Sequence, residues 1–392
     1  MDKEIKQGYK QTKVGIIPEH WQVVRLGDIC KFYKGKGISK DNLSEEGIPC
    51  IRYGELYTTY NEKIDNVISK TNVDIKELFL SKSNDIIIPA SGETAIDIAT
   101  ASCVLLDNVA LSGDINVIRT RENGIFLSYY LNAIAKSRIA SLAQGVSVVH
   151  LYSTQLENLS LSLPTLKEQE KIAKILNTWD EAIRKQEKLI ELQELQKKAL
   201  MKKLLSGEVR FDEFNDKWEE LKLRDICYIK KGDQLNKDTL DSYGNFPVIN
   251  GGVEPSGYTK EWNTEENTIT ISEGGNSCGH VNFIQDKFWS GGHCYTLLNL
   301  KIDKKFLFQF LKYNQHNIMK LRVGSGLPNI QKSAIEKFSV NKPSLPEQQK
   351  IAGVLSLADD EINFLRNELK ELKLQKKALM QKLLTGEVRI DV

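Results

Sequence analysis

Apolar residues recur in alternating steps of four and three along the last stretch of the chain. The series is Ile351, Leu355, Ala358, Ile362, Leu365, Leu369, Leu372, Lys376, Leu379 and Leu383, with Lys376 its one polar member. This is a heptad seam. The same steps occur 179 residues earlier at Ile172, Leu176, Trp179, Ile183, Gln186, Ile190, Gln193, Lys197, Leu200 and Leu204. Both seams lie between helix start and stop signals. Residues 164–171 read PTLKEQEK and residues 343–350 read PSLPEQQK. Thr165-x-x-Glu168 and Ser344-x-x-Glu347 are therefore capping boxes, in which a hydroxyl takes a first-turn N–H and the carboxylate reaches back. Ser206-Gly207 and Thr385-Gly386 put glycine where a helix end calls for a left-handed residue. Only Gly353, where the first copy has Lys174, interrupts the pattern, softening the second helix by about 1 kcal/mol. The pattern predicts two helices of roughly 40 residues, about 60 Å each, long for one compact domain and suited to a rod between two bodies. Ordinary amphipathic core helices are the plainer alternative. Gln186, Gln193 and Lys197 would weaken pairing between like copies, so the two unlike copies are expected to pack against each other.

The duplication runs through the rest of the chain as well. Residues 21–31 (WQVVRLGDICK) match 218–228 (WEELKLRDICY) at an offset of 197, and 47–54 (GIPCIRYG) match 245–252 (NFPVINGG) at 198. Residues 85–118 loosely parallel 268–298, each with short β-type runs around glycine-rich turns. A shorter helical stretch follows near 127–142 and 305–321. Then AQGVSVVHLYSTQLENLSLSLP aligns with VGSGLPNIQKSAIEKFSVNKP, the offset having fallen to 179. The second globular region is thus the shorter one. The expected order is a leader over 1–20, a first domain over 21–163, a long helix over 164–211, a second domain over 212–342 and a second long helix over 343–392. The fold class is α/β (α+β): two globular domains in tandem, separated by two long helices that pair as an antiparallel coiled coil, with an internal pseudo-twofold repeat. By the repeat, the C-terminus is expected beside the N-terminal leader.

Composition changes this picture little. A length of 392 residues suits two domains and a spacer, and a hydrophobic content of 41% supports packed cores. No apolar run approaches membrane length, and the opening MDKEIKQGYK lacks a signal-peptide core, which points to a cytoplasmic protein. With a net charge of only +2, any nucleic-acid site must come from local clustering. The six cysteines include no C-x-x-C pair and are expected as buried reduced thiols.

Local basic clusters do exist. Lys31, Lys34 and Lys36 flank a glycine-rich loop, with Lys230 and Lys231 at the equivalent place, where lysines and backbone amides would hold phosphates. A solvated basic turn is the bland alternative. Arg52 and Tyr53, with Asn250 at the equivalent position, are candidates to reach base edges. The 145–150 loop and the 322–331 loop, which carries Arg322, are further candidates. Catalytic constellations are missing. Cys278, His280, His293 and Cys294 have the ligand types of a zinc site but not its spacing, and strand neighbours point apart. Residues 272–279 (SEGGNSCG) lack the Lys-Thr end of a P-loop, and no methyltransferase motif of an amide or acid followed by Pro-Pro and an aromatic is present.

The opening QTKVGIIPEHWQVVRLGDIC, the helix starts LPTLKEQEKIA and KPSLPEQQKIA and the ends LLSGEVRF and LLTGEVRI together resemble the DNA-specificity subunits of type I restriction-modification systems. The resemblance covers nearly the whole chain, and the order of the repeated pieces makes it specific. It implies two target-recognition domains on double-stranded DNA and helices that dock two methyltransferase subunits, with motor-nuclease subunits joining through the complex. Glu168, Lys171, Glu347 and Lys350, in the repeated polar flanks, are the expected docking residues. The chain itself is expected to be non-catalytic and to hold no metal or cofactor. S-adenosylmethionine would serve the adenine-methyltransferase partners, and ATP with magnesium the motor-nuclease partners. Two alternatives belong to other classes. A self-contained DNA-modifying enzyme would show activity as the purified chain, and a coiled-coil adaptor that never touches nucleic acid would fail to shift DNA in a gel.

Overall fold

The structure is a computed structural model that describes residues 5–324, 326 and 328–390. Residues 1–4 of the leader, residues 325 and 327 of the 322–331 loop and residues 391–392 lie outside the described residues. In chain order the first half contributes strands β1 (Cys30–Lys34), β2 (Asp85–Pro89), β3 (Ser102–Val104) and β4 (Ile115–Thr120), then helices α1 (Gly124–Ala133) and α2 (Leu166–Leu205). The second half contributes β5 (Tyr228–Lys231), β6 (Thr268–Ser272), β7 (Val281–Ile284) and β8 (Cys294–Leu298), then α3 (Lys304–Tyr313) and α4 (Leu345–Thr385). Both heptad stretches are thus single long helices, and the two globular domains are mixed α/β, as expected.

The chain divides into two compact units, one of Met1–Lys185 with Leu369–Val392 and the other of Gln186–Glu368. In the first unit the sheet order is β1-β4-β2-β3, continued by a short strand at Lys63–Ile64. β2 reads DIIIP and is buried throughout, because both sheet faces are covered. Strand alternation then splits it. Ile86 and Ile88 join Phe126 and Tyr130 of α1 in one core, while Ile87 joins Ile51, Val104 and Val117 in another. The first of these cores also takes Ile172 and Leu176 from α2 and Leu383 and Leu384 from the last turn of α4. The leader forms a hairpin, Tyr9–Thr12 with Gly15–Pro18. Tyr9 Oη donates to the Gly386 carbonyl at 2.8 Å, which brings the leader and the end of α4 together.

The second unit repeats this plan with sheet order β5-β8-β6-β7. Ile269 and Ile271 of β6, Phe306 and Phe310 of α3, Ile351 and Leu355 of α4 and Leu204 of α2 share its core. Each unit therefore contains half of each long helix, running antiparallel. In the first unit the seam residue Lys376 pairs with Asp180, and in the second Lys197 pairs with Asp359. Gln186 Nε2 donates to the Leu365 carbonyl at 3.2 Å, so the polar seam positions find partners across the pair. Every seam residue of both helices is buried or half-buried. Among the described residues no helix is long and apolar enough to cross a membrane.

Candidate nucleic-acid interface

β1 and β5 each leave their sheet through a Lys-Gly pair, Lys34-Gly35 and Lys231-Gly232. A Cβ on Gly35 would overlap the Ser112 carbonyl, and one on Gly232 the carbonyls of Ser290 and Gly291, so only glycine permits the crossing. The N–H of Gly35 donates to Ile115 and that of Lys36 to Leu111, at 3.0 and 2.9 Å. Gly232 and Asp233 donate likewise to Cys294 and Ser290, at 2.9 and 2.8 Å. These bonds correct the expectation of a phosphate-holding loop. The amides are spent inside the domain, and Lys31, Lys34, Lys230 and Lys231 are strand residues because β1 and β5 pair with β4 and β8. At Gly35, Lys36, Gly232 and Asp233 no amide is left for a ligand, and the neighbouring lysines can offer only their ammonium groups. Lys34 and Lys36 are exposed, while Lys230 and Lys231 lie on opposite faces of β5.

Three further segments meet at this end of each sheet, and their hydrogen bonds match between domains. The Ala90 N–H donates to the Asp114 carbonyl at 2.8 Å and its carbonyl accepts from Leu151 at 2.9 Å. Glu273 makes the same pair of bonds with His293 and Ile330, at 2.9 and 2.8 Å. Reciprocal backbone bonds link Gln144 with His150 in one domain and Val323 with Asn329 in the other. Strand register sets Lys34 opposite Asn116 and Lys231 opposite Tyr295. Asn116 Nδ2 donates to the Leu151 carbonyl at 2.9 Å just as Tyr295 Oη donates to that of Ile330 at 3.1 Å. One backbone frame thus carries Lys34, Ala90, Asp114 and Asn116 in the first domain. It carries Lys231, Glu273, His293 and Tyr295 in the second.

In the second domain this end forms a cleft of about 600 Å³ that includes Lys231, Asn250, Glu273, Ser277, His293 and Asn329. Glu273 lines it, 14% exposed. Its Oε1 accepts from Lys231 at 2.5 Å and Tyr295 at 3.0 Å, and its Oε2 lies 3.3 Å from His293 Nδ1. Burial alone would raise the Glu273 carboxyl, but the bonds from Lys231, Tyr295 and His293 together with the Lys231 charge hold the group below its ordinary value. Sequence reasoning missed Glu273 and Tyr295, whose partners lie tens of residues away and meet only through sheet register. Of the expected base contacts, Asn250 lines the cleft, yet its Oδ1 already accepts from the His293 N–H at 3.2 Å. Arg52 is half-buried, with its N–H donating to Glu55 at 2.8 Å and its guanidinium 3.6 Å from that carboxylate. Tyr53 and Arg322 are exposed. Lys230 pairs with Asp233 at 3.8 Å.

The expected docking residues divide. Lys171 and Lys350 are exposed. Glu168 and Glu347 are buried, which removes those two carboxylates from any docking face. Glu168 accepts from the Thr165 N–H at 3.2 Å and lies 3.1 Å from His20 Nε2, completing the capping box. Glu347 instead takes two bonds of 2.8 Å from Arg210 and one of 3.1 Å from Trp218 Nε1. The neighbouring glutamines, also missed, fasten the helix starts to the domains. Gln169 accepts from the Asn123 N–H at 3.0 Å, and Gln348 from that of Asp303 at 2.8 Å, at the N-caps of α1 and α3.

Chemistry of the reactive kinds is muted. All six cysteines are free thiols, and burial pushes Cys30, Cys50 and Cys294 up to about 11 and Cys103 and Cys227 to about 12, far from nucleophilic thiolates. Among the described residues no three His, Cys, Asp or Glu side chains are grouped to hold a metal ion.

Two stretches, 18–194 and 215–374, match the family described as Type I restriction modification DNA specificity domain. The chain is 26% identical over 443 aligned residues to the Type I restriction enzyme MjaVIII specificity subunit of Methanocaldococcus jannaschii, covering 98% of this chain and 97% of that one. It is 28% identical over 420 residues to the Putative type I restriction enzyme MjaX specificity subunit of the same organism, with the same coverage. In fold it resembles the crystal structure of a type I restriction-modification S subunit from M. genitalium, with a TM-score of 0.67 and 21% identity over 95% of this chain and 97% of that chain.

Proposed function

Because the chain belongs to the family of type I restriction-modification DNA specificity subunits, we propose that its two domains read two different short stretches of one DNA duplex. One observation carries this reading: a shared backbone frame presents different side chains at equivalent places in the two domains. A constant frame suits a common ligand, and exchanged side chains suit different base sequences, since phosphate contacts position a protein and base-edge contacts specify the site. The target is then bipartite and asymmetric, with an unread spacer. The chain performs no chemistry of its own. Methyl transfer from S-adenosylmethionine and ATP-driven cleavage with magnesium belong to partner subunits. The test is to express the chain with its own methyltransferase partners and sequence the modified bases of the host genome. A two-part motif with unlike halves is expected. A single contiguous motif, or methylation by the purified chain alone, contradicts the reading.

The long helices are the docking elements for the two methyltransferase subunits. Leu189, Leu192 and Leu195 of α2 and Leu357 and Phe364 of α4 stay exposed despite their apolar character, which favours covering by a partner. The counterparts of Leu357 and Phe364 in the other copy are Thr178 and Lys185, so the two docking faces differ in polarity. Leu357→Glu with Phe364→Asp should therefore lower the number of methyltransferase copies from two to one in native mass spectrometry. Retention of both copies would place docking elsewhere.

A further inference from the structure

The cleft of the second domain has a chemical pattern that the first domain lacks. Glu273 is a carboxylate with four acceptor positions, of which three face neighbouring donors: Lys231 and Tyr295 on Oε1, and His293 on Oε2. One acceptor position on Oε2 is left beside a ring that is itself 62% exposed. Lys231, half-exposed, holds its ammonium 2.5 Å from Oε1 and keeps protons to donate outward. The cleft therefore presents an acceptor and a cationic donor side by side. The first domain has the same lysine position, Lys34, but Ala90 stands where Glu273 stands and Asp114 where His293 stands. A difference confined to side chains on a common frame is what base discrimination requires.

Resting on the reading of this chain as a DNA-specificity subunit, we propose that Glu273 and Lys231 form the base-discriminating pair of the second domain and read one cytosine–guanine pair from the major groove. Cytosine presents its N4 amino group beside the guanine O6 acceptor, with guanine N7 next to it. Glu273 Oε2 accepts from the cytosine amino group, and Lys231 donates to guanine O6 and N7. Tyr295 is a positioning residue: its one hydroxyl proton is shared between Glu273 Oε1 and the Ile330 carbonyl, 3.0 and 3.1 Å away, which holds the carboxylate against the cleft wall. His293 narrows the pattern further by occupying the other side of Oε2.

The experiment uses the chain assembled with its methyltransferase subunits and a randomised duplex library, read by sequencing of the modified bases. Wild type, Glu273→Gln and Lys231→Gln are compared. Both variants are expected to lose preference for C·G at one and the same position of the second half-site, by about tenfold, leaving the first half-site unchanged. Lys231 is half-exposed, so its variant keeps the proposal testable if the Glu273 variant fails to assemble. An unchanged motif in Lys231→Gln overturns the assignment. So does a uniform loss of modification across all sequences, the signature of a phosphate contact, or a relaxed position that prefers A·T in the wild type. A wild-type complex with no two-part motif would instead count against the specificity function itself, and the same data set shows that separately.

Discussion

Single carboxylates tie the long helices to the domains they serve. Asp180 accepts from the seam Lys376 and from Tyr129 of α1, while Asp359 accepts from Lys197 and, at 2.7 Å, from Gln309 of α3. Each lysine is about 15% exposed, so a lost aspartate leaves a charge in the seam with poor access to water. Asp180→Ala should cost about 1–3 kcal/mol, read as a lower urea midpoint. Asp180→Leu combined with Lys376→Leu should recover only part of that loss, because an apolar pair fills a seam as well as an ion pair does but leaves the buried Tyr129 hydroxyl without its acceptor. Glu168 makes the stability pH-dependent. Burial would raise its carboxyl, but His20 and the Thr165 N–H outweigh that and hold it below its ordinary 4.5. A depressed folded value means that this carboxylate stabilises the fold fully above the unfolded value and loses the effect as pH falls through the folded one. Glu168→Gln should therefore flatten the acid limb of stability below about pH 5 and leave the alkaline limb alone, as urea titrations across pH would show.

At the scale of elements, the helices obey the sequence more closely than the strands do. Heptad steps, the Thr165-Glu168 box and left-handed glycines at Gly207 and Gly386, φ +75° and +73°, are all local features, and all stand as the sequence reads. Gly353 is exposed in α4, and a Cβ there would meet nothing within 4 Å. Gly353→Ala should then stabilise the protein by up to about 1 kcal/mol, raising the thermal midpoint without altering partner stoichiometry. Strand assignment depends on distant partners instead. Lys31 and Lys34 alternate with Phe32 too briefly to declare a strand, and Gly35 invites a loop. Pairing with β4, more than 80 residues away, makes them β1. The basic clusters were thus legible as charge and illegible as geometry.

At the scale of the whole molecule, the first unit is built from both ends of the chain, and the second from the middle alone. The sequence repeat implies this closure, and Tyr9 on Gly386 realises it. If the long helices also set the spacer of a bipartite target, matched heptad deletions should be informative. Removing one heptad from α2 and the corresponding heptad from α4, about 10 Å of helix, should shift the preferred spacer and leave both half-sites intact. Sequencing of modified bases in a strain carrying that variant decides it. Half-sites that change while the spacer stays constant would show that the helices do not act as the ruler.

The amino-acid sequence by itself determined the repeat, the two long helices, their seam and the tandem domain plan, because each is written in periodicity or in residues within a few positions of one another. It also located the lysines, since charge needs no partner to be visible. Tertiary structure alone decided which polar groups are left to act. Burial took Glu168 and Glu347 out of the docking set, and internal hydrogen bonds consumed the amides beside Lys34 and Lys231. It also gathered Lys231, Glu273, His293 and Tyr295, which are spread over more than 60 residues, into one cleft. The reason is physical. A side chain's availability is what remains after packing and hydrogen bonding have claimed their share, and those claims are made by residues far away in the chain.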